Sequence, residues 1–325
     1  MSGKHKKLLF LALLTTLFTF LLIGFGNVVT RTQSGLGCGD HWPTCNGDWI
    51  PDLTNMYVAI EFFHRILAAF VGFFVLILTV WCWLINNPRY ARSIRNLSIL
   101  AVILLAVQIV LGGLTVRYHL PPSLVVFHNG TSIAFFGSLV FLTYRIYQLS
   151  ASPSSLEYWT DDKDGSPSSL VPLTGALSGL VLGQILLGAY VRHSGSRGGC
   201  PEVIPFCEGW NILPSLTKPA VVHFSHRLLG MMIGVLFLYL LYRAVREGSR
   251  LATSLAITEC LLVGLQILSG LMSIWTASWT LVIWSTVHLL TATLIFGILI
   301  VLLAAVKPLN PAPYMQSLAV DEPKV

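Results

Sequence analysis

The chain has 325 residues, of which 54% are hydrophobic and only 10% charged, against about 25% charged in a soluble domain. With a mean hydropathy of +0.74 this excludes a soluble globule and leaves an integral membrane protein. The net charge of +6 calls for no nucleic acid, because the bias of basic residues among the loops accounts for it.

Apolar runs long enough to cross a bilayer occur at about Leu8–Val28, Tyr57–Ile85, Leu97–Val116, Leu124–Tyr147, Leu170–Val191, Pro219–Tyr242, Leu251–Ile274 and Thr280–Val306. Each has roughly the 20 residues that a spanning helix needs. The runs are continuous rather than alternating, which argues against a barrel. The expected fold is therefore all-α, with eight transmembrane helices.

The first run follows "KHKK", which resembles the start of a signal peptide, but it is long and lacks a small-residue cleavage site. It is read as a retained helix. With the N-terminus inside, the cytoplasmic segments hold Lys4, Lys6, Lys7, Arg89, Arg92, Arg95, Arg145, Lys163, Arg243, Arg246, Arg250, Lys307 and Lys324. The opposite side holds only Arg31, Arg117, Arg192, Arg197 and Lys218. The positive-inside rule then puts both termini in the cytoplasm, for a protein of the cell (inner) membrane surrounded by lipid.

Between the first and second runs lie Cys38 and Cys45, with six residues between them. The second run opens with "EFFHR", placing Glu61, His64 and Arg65 inside a membrane span. Ionisable side chains are costly there and usually mark a function. The fourth run carries His128 in "VFHNGTS". Then comes "SASPSSLEYWTDDKDGSPSS", a polar segment that reads as a cytoplasmic linker over 149–169.

Beyond the linker the pattern returns. Cys200 and Cys207 repeat the cysteine spacing at an offset of 162 (200 − 38 and 207 − 45). The same offset carries Glu61, His64 and Arg65 onto His223, His226 and Arg227 in "HFSHR". "QIVLGGLT" from 108 matches "QILSGLMS" from 266, and His128 finds its counterpart in His288 at an offset of 160 (288 − 128). The chain thus reads as two four-helix halves, 1–148 and 170–306, with a tail over 307–325. An even helix count gives both halves one topology and a pseudo-two-fold axis along the membrane normal.

His64 and His128 enter from parallel helices at a matched depth, roughly 8–11 Å below the outer surface at 1.5 Å per residue. His226 and His288 repeat this. Two level imidazoles in an apolar bundle make a bis-imidazole clamp for a heme. A lone membrane histidine is more often a packing residue, but two matched pairs reverse that balance. Zinc would want thiolate or carboxylate company at the same depth. His5, His41, His119 and His193 are surface residues by position, and His223 could bond a heme edge or fill space. Arg65 and Arg227 are candidates for heme propionates or for backbone carbonyls near the interface. Glu61 is either a catalytic carboxylate or the salt-bridge partner of Arg65. Each cysteine pair reads as a loop-closing disulfide, worth on the order of 2–3 kcal/mol, or as a redox-labile pair above the site. Cys82 and Cys260 lie within helices, and Glu259 fits ordinary snorkelling.

Together, E-x-x-H-R in the second helix, H-R in the sixth, histidines in the fourth and eighth, and a cysteine pair in each outer loop resemble the heme A synthase family over residues 8–306. "VVTRTQSGLGCGDHWPTCNG" after the first helix is similar to that family too. The resemblance implies oxidation of the C8 methyl of heme O to a formyl group, giving heme A for cytochrome oxidase. It implies His64 and His128 at the substrate heme, His226 and His288 as ligands of a resident heme b, and Glu61 as the catalytic carboxylate. A heme O synthase is the implied neighbour, together with an electron acceptor. The longer loop "GSRGGCPEVIPFC" departs from the first-half pattern. Two other readings stay open: a di-heme electron carrier of the cytochrome b type, and a heme exporter or chaperone.

Overall fold

The computed structural model describes residues 3–84, 91–150, 168–200, 207 and 217–306. The linker expected over 149–169 and the tail over 307–325 lie almost entirely outside these residues. Among the described residues there are eight α-helices: α1 Gly3–Arg31, α2 Met56–Trp83, α3 Ala91–Arg117, α4 Pro122–Ser150, α5 Val171–His193, α6 Lys218–Arg246, α7 Arg250–Trp275 and α8 Ser278–Val306. All eight are long and apolar enough to cross a membrane.

Helix ends follow local chemistry. Asn55 caps α2 by accepting from the Tyr57 N–H, and Ser249 caps α7 by accepting from Ala252. Proline stands in the first turn of α5 and α6, where its missing N–H has no intrahelical role. Helix α3 begins at Ala91, six residues before the apolar run (97 − 91), because "ARSIRN" is a competent helix former that hydropathy alone does not count. Buried threonines return their hydroxyls to the carbonyl four residues back, as Thr15 does to Leu11 and Thr19 to Thr15, so polar groups sit in the core satisfied.

The helices close into two rings. In the first, α1 packs on α2, α2 on α3, α3 on α4 and α4 on α1; in the second, α5 to α8 pack in the same cyclic order. One core, from Leu8 to Ile146, lies inside the first ring, and another, from Leu177 to Val306, fills the second and the seam. The rings meet where α4 lies against α5 and α8, and α1 against α8. On that seam Phe136 covers Gly297 and Phe296 covers Gly137; a Cβ on Gly297 would stand 3.0 Å from the Phe136 ring, and one on Gly137 2.6 Å from Phe296. Such a reciprocal contact is the pattern of a two-fold interface. Outward residues such as Phe70, Phe73 and Val80 on α2 are exposed, as lipid-facing positions should be.

Candidate functional site

His64 on α2 and His128 on α4 stand near one another, and so do His226 on α6 and His288 on α8 in the second ring. Nδ1 of His64, His128 and His226 is buried without a hydrogen-bond partner. A buried polar atom with no protein partner points to a group that meets its partner through a ligand. His288 is differently held. Its Nδ1 lies 3.0 Å from the Gln266 carbonyl, which can only accept, so this nitrogen carries the proton. Nε2 then accepts from the Gln266 amide at 3.2 Å and carries the ring's lone pair. A ring fixed through Nδ1–H to a carbonyl is the usual support of a metal-ligating histidine.

Each imidazole rests on a glycine of the preceding helix. A Cβ on Gly188 would come within 2.9 Å of the His226 ring, on Gly270 within 3.0 Å of His288, on Gly26 within 3.3 Å of His64 and on Gly112 within 3.6 Å of His128. Sequence reasoning missed these glycines. The signal was present: they obey the repeat, at 188 − 26 = 162 and 270 − 112 = 158.

The first cysteine of each pair is tied down in one way by different residues. Glu61 is buried; its Oε2 accepts from the Cys38 N–H at 2.8 Å, and its Oε1 from Arg65 Nη2 at 2.6 Å. Arg65 Nη1 donates onward to the carbonyls of Thr44 at 2.7 Å and His41 at 3.0 Å. In the second ring the Cys200 N–H donates to Nδ1 of His223 at 3.2 Å, and Arg227 Nη2 donates to the Cys200 carbonyl at 2.6 Å. An accepting Nδ1 means that His223 is neutral. So Glu61 and His223 serve the same loop anchor, one as an anion paired with arginine and the other as a neutral ring.

Cys38 is joined to Cys45 and Cys200 to Cys207. Trp42, between the first pair, lies over Gly113 of α3, so this loop closes across its ring. Alkylation of denatured, unreduced protein should therefore label two of the six cysteines, Cys82 and Cys260. Labelling at the four loop positions in protein kept oxidised would contradict the pairing.

Two positions differ from the sequence reading. Glu259 does not snorkel: it is 0% exposed, because the register that buries Ala252 and Ala256 turns it inward, and neither of its carboxyl oxygens finds a partner. His193 is no free surface residue; its Nε2 is buried at the end of α5.

These features define a multi-pass membrane protein with two pairs of histidines, one below the Cys38–Cys45 loop and the other beside the Cys200–Cys207 bond. Residues 53–300 match the model of the cytochrome oxidase assembly protein family, COX15-CtaA, and the chain belongs to that family. It is similar to the heme A synthase of Alkalihalophilus pseudofirmus, 29% identical over 91% of this chain and 96% of the relative. The heme A synthase of Lysinibacillus sphaericus is likewise 29% identical, over 91% and 94%. That of Halalkalibacterium halodurans is 29% identical over 75% and 78%.

Proposed function

We propose that the protein is a heme A synthase, an oxidoreductase that converts the C8 methyl of heme O into the formyl of heme A. The observation that carries this is a chemical difference at the loop anchor of two similarly built sites: Glu61 and its Arg65 partner in the first ring, neutral His223 in the second. An electron carrier holding two equivalent hemes has no use for that difference.

The first half, 1–148, takes heme O between His64 and His128, and the second, 170–306, holds heme b between His226 and His288. The unmet Nδ1 atoms, the glycine beds and the Nδ1–H anchor of His288 support this fit. Heme b, when bound, supplies a one-electron redox centre. The remaining work falls to the chain. The imidazole pair fixes the substrate macrocycle in one plane, the disulfide loop with Trp42 holds back bulk water, and Glu61 takes protons as the methyl and one water molecule give the formyl, four protons and four electrons. Glu61 is the only glutamate in residues 1–148, and Arg65 pairs with it at 2.6 Å. Arg65 and Arg227, each following a paired histidine by one residue, are candidates for the heme propionates. The loops face outward and both termini lie in the cytoplasm of the cell membrane. A heme O synthase supplies the substrate, and a separate acceptor removes the electrons.

The matching glycine beds and the Phe136/Phe296 interlock support a duplicated unit. Gly188→Ala should lower heme b occupancy while sparing yield, because the added methyl meets the His226 ring and not backbone. Heme absorbance against protein yield measures this, and unchanged occupancy would remove the glycine-bed account. As a test of the activity itself, cells that make heme O but no heme A should accumulate heme A when this chain is expressed. Heme O persisting alone would contradict the assignment.

A further inference from the structure

Three of the five cations on the cysteine-loop face converge on one spot. Arg31 ends α1, Arg192 lies in the last turn of α5, and Arg197 sits in the short 3-10 turn Ser196–Gly199 that follows. Each is near enough to the other two for their charges to repel. Among the described residues no carboxylate forms an ion pair with any of them. Arg31 Nε donates to Ser285 Oγ at 3.0 Å, and Arg192 Nη1 donates to Asn27 Oδ1. The Asn27 amide donates in turn to Ser285 at 3.1 Å and Thr286 at 2.8 Å, so the cluster is built into the seam between α1, α5 and α8. Arg192 Nη2 and the neighbouring His193 Nε2 are buried with no hydrogen-bond partner. Like charges gathered in a partly buried seam, with donors unmet, are stable only beside an anion.

The cluster's position narrows the anion. Ser285 lies one turn from His288 on the same helix face, so Arg31, bonded to Ser285, stands beside the second histidine pair, and Arg197 donates to the Ser273 carbonyl one turn beyond Gly270, on which His288 rests. The nearest ligand with anionic groups is a macrocycle clamped by the second histidine pair, which carries two carboxylates along one edge.

We infer that Arg31 and Arg192 bind the carboxylates of the heme held between His226 and His288, so that a residue of α1 completes the site of the other ring. The inference rests on the heme-binding reading above. The repeat sharpens it. Arg31 and Arg192 correspond to His193 and Thr30 (31 + 162 and 192 − 162), so the first site has no matching pair of guanidiniums. A charged clamp belongs at the site whose ligand stays, and its absence suits the site whose ligand must leave as product.

The test uses purified holoprotein carrying R31Q, R192Q or, as a control, R117Q, which removes an exposed cation at the end of α3. Heme transfer to apomyoglobin should be on the order of tenfold faster in R31Q and R192Q than in R117Q, the loss of one charge-assisted bond. The heme midpoint potential should also fall, since losing a cation beside the carboxylates favours the ferric form. Transfer rates and potentials equal to R117Q would overturn the inference. So would a loss of co-purifying anionic phospholipid with the heme unaffected, which would assign the cluster to a lipid headgroup. If a glutamine variant does not fold, R31K and R192K decide: charge without the planar fork should leave the potential near wild type and still speed heme loss. Wild-type rates in both would overturn the inference. The functional reading is judged separately, on protein with all arginines intact: if His288→Ala alters no heme there, that reading has failed on its own.

Discussion

His226→Ala or His288→Ala should yield folded protein that has lost most of its heme b. Each substitution removes one of two axial ligands, and even about 3 kcal/mol of lost ligation weakens binding roughly a hundredfold. The fold should survive, because neither ring is a major element of the apolar core. His64→Ala or His128→Ala should behave in the opposite way, keeping heme b while heme A formation stops. The measurement is pigment chromatography on the four purified variants, with protein yield alongside. If all four deplete one heme to the same extent, the division of labour between the rings is wrong.

Glu61→His should halt oxidation without dismantling the site. The second ring already shows that a histidine at this position can accept the bond from the loop cysteine N–H, as His223 does from Cys200. The variant therefore keeps the loop anchor and removes only the carboxylate. If Glu61 handles protons, the rate should drop by about 10²–10⁴-fold, the usual contribution of a positioned acid or base. Heme O, or a partly oxidised form, should then accumulate in a protein with normal heme spectra and an intact Cys38–Cys45 bond. If Glu61 serves only to neutralise Arg65, the outcome differs. Unpairing a buried arginine costs roughly 3–5 kcal/mol, so yield and heme content would fall together. Normal heme A output from well-folded Glu61→His would end the catalytic role.

The eight helices were legible because a spanning helix is written in hydropathy, a property of each segment taken alone. The histidines and cysteines were legible because the repeat singles them out at fixed offsets. What escaped was contact between segments. No periodicity says that Gly188 lies under His226, or that Glu61 and His223 both hold the N–H of the first loop cysteine. Glu259 was misread because its inward turn depends on the register of α7 within the ring, which buries Ala252 and Ala256 beside it. Arg31 and Arg192 looked like scattered topological charges, since 161 residues separate them in sequence (192 − 31) and only the packing of α1 and α5 around α8 brings them together.

The central claim is that one ring holds a heme as cofactor and the other a heme as substrate. It is tested most directly by extracting and identifying the pigments of the purified, unsubstituted protein from cells that make heme O. The account predicts heme b together with heme O or heme A in the same preparation. Heme b alone, filling both sites at two per chain, would contradict it and make the protein an electron carrier.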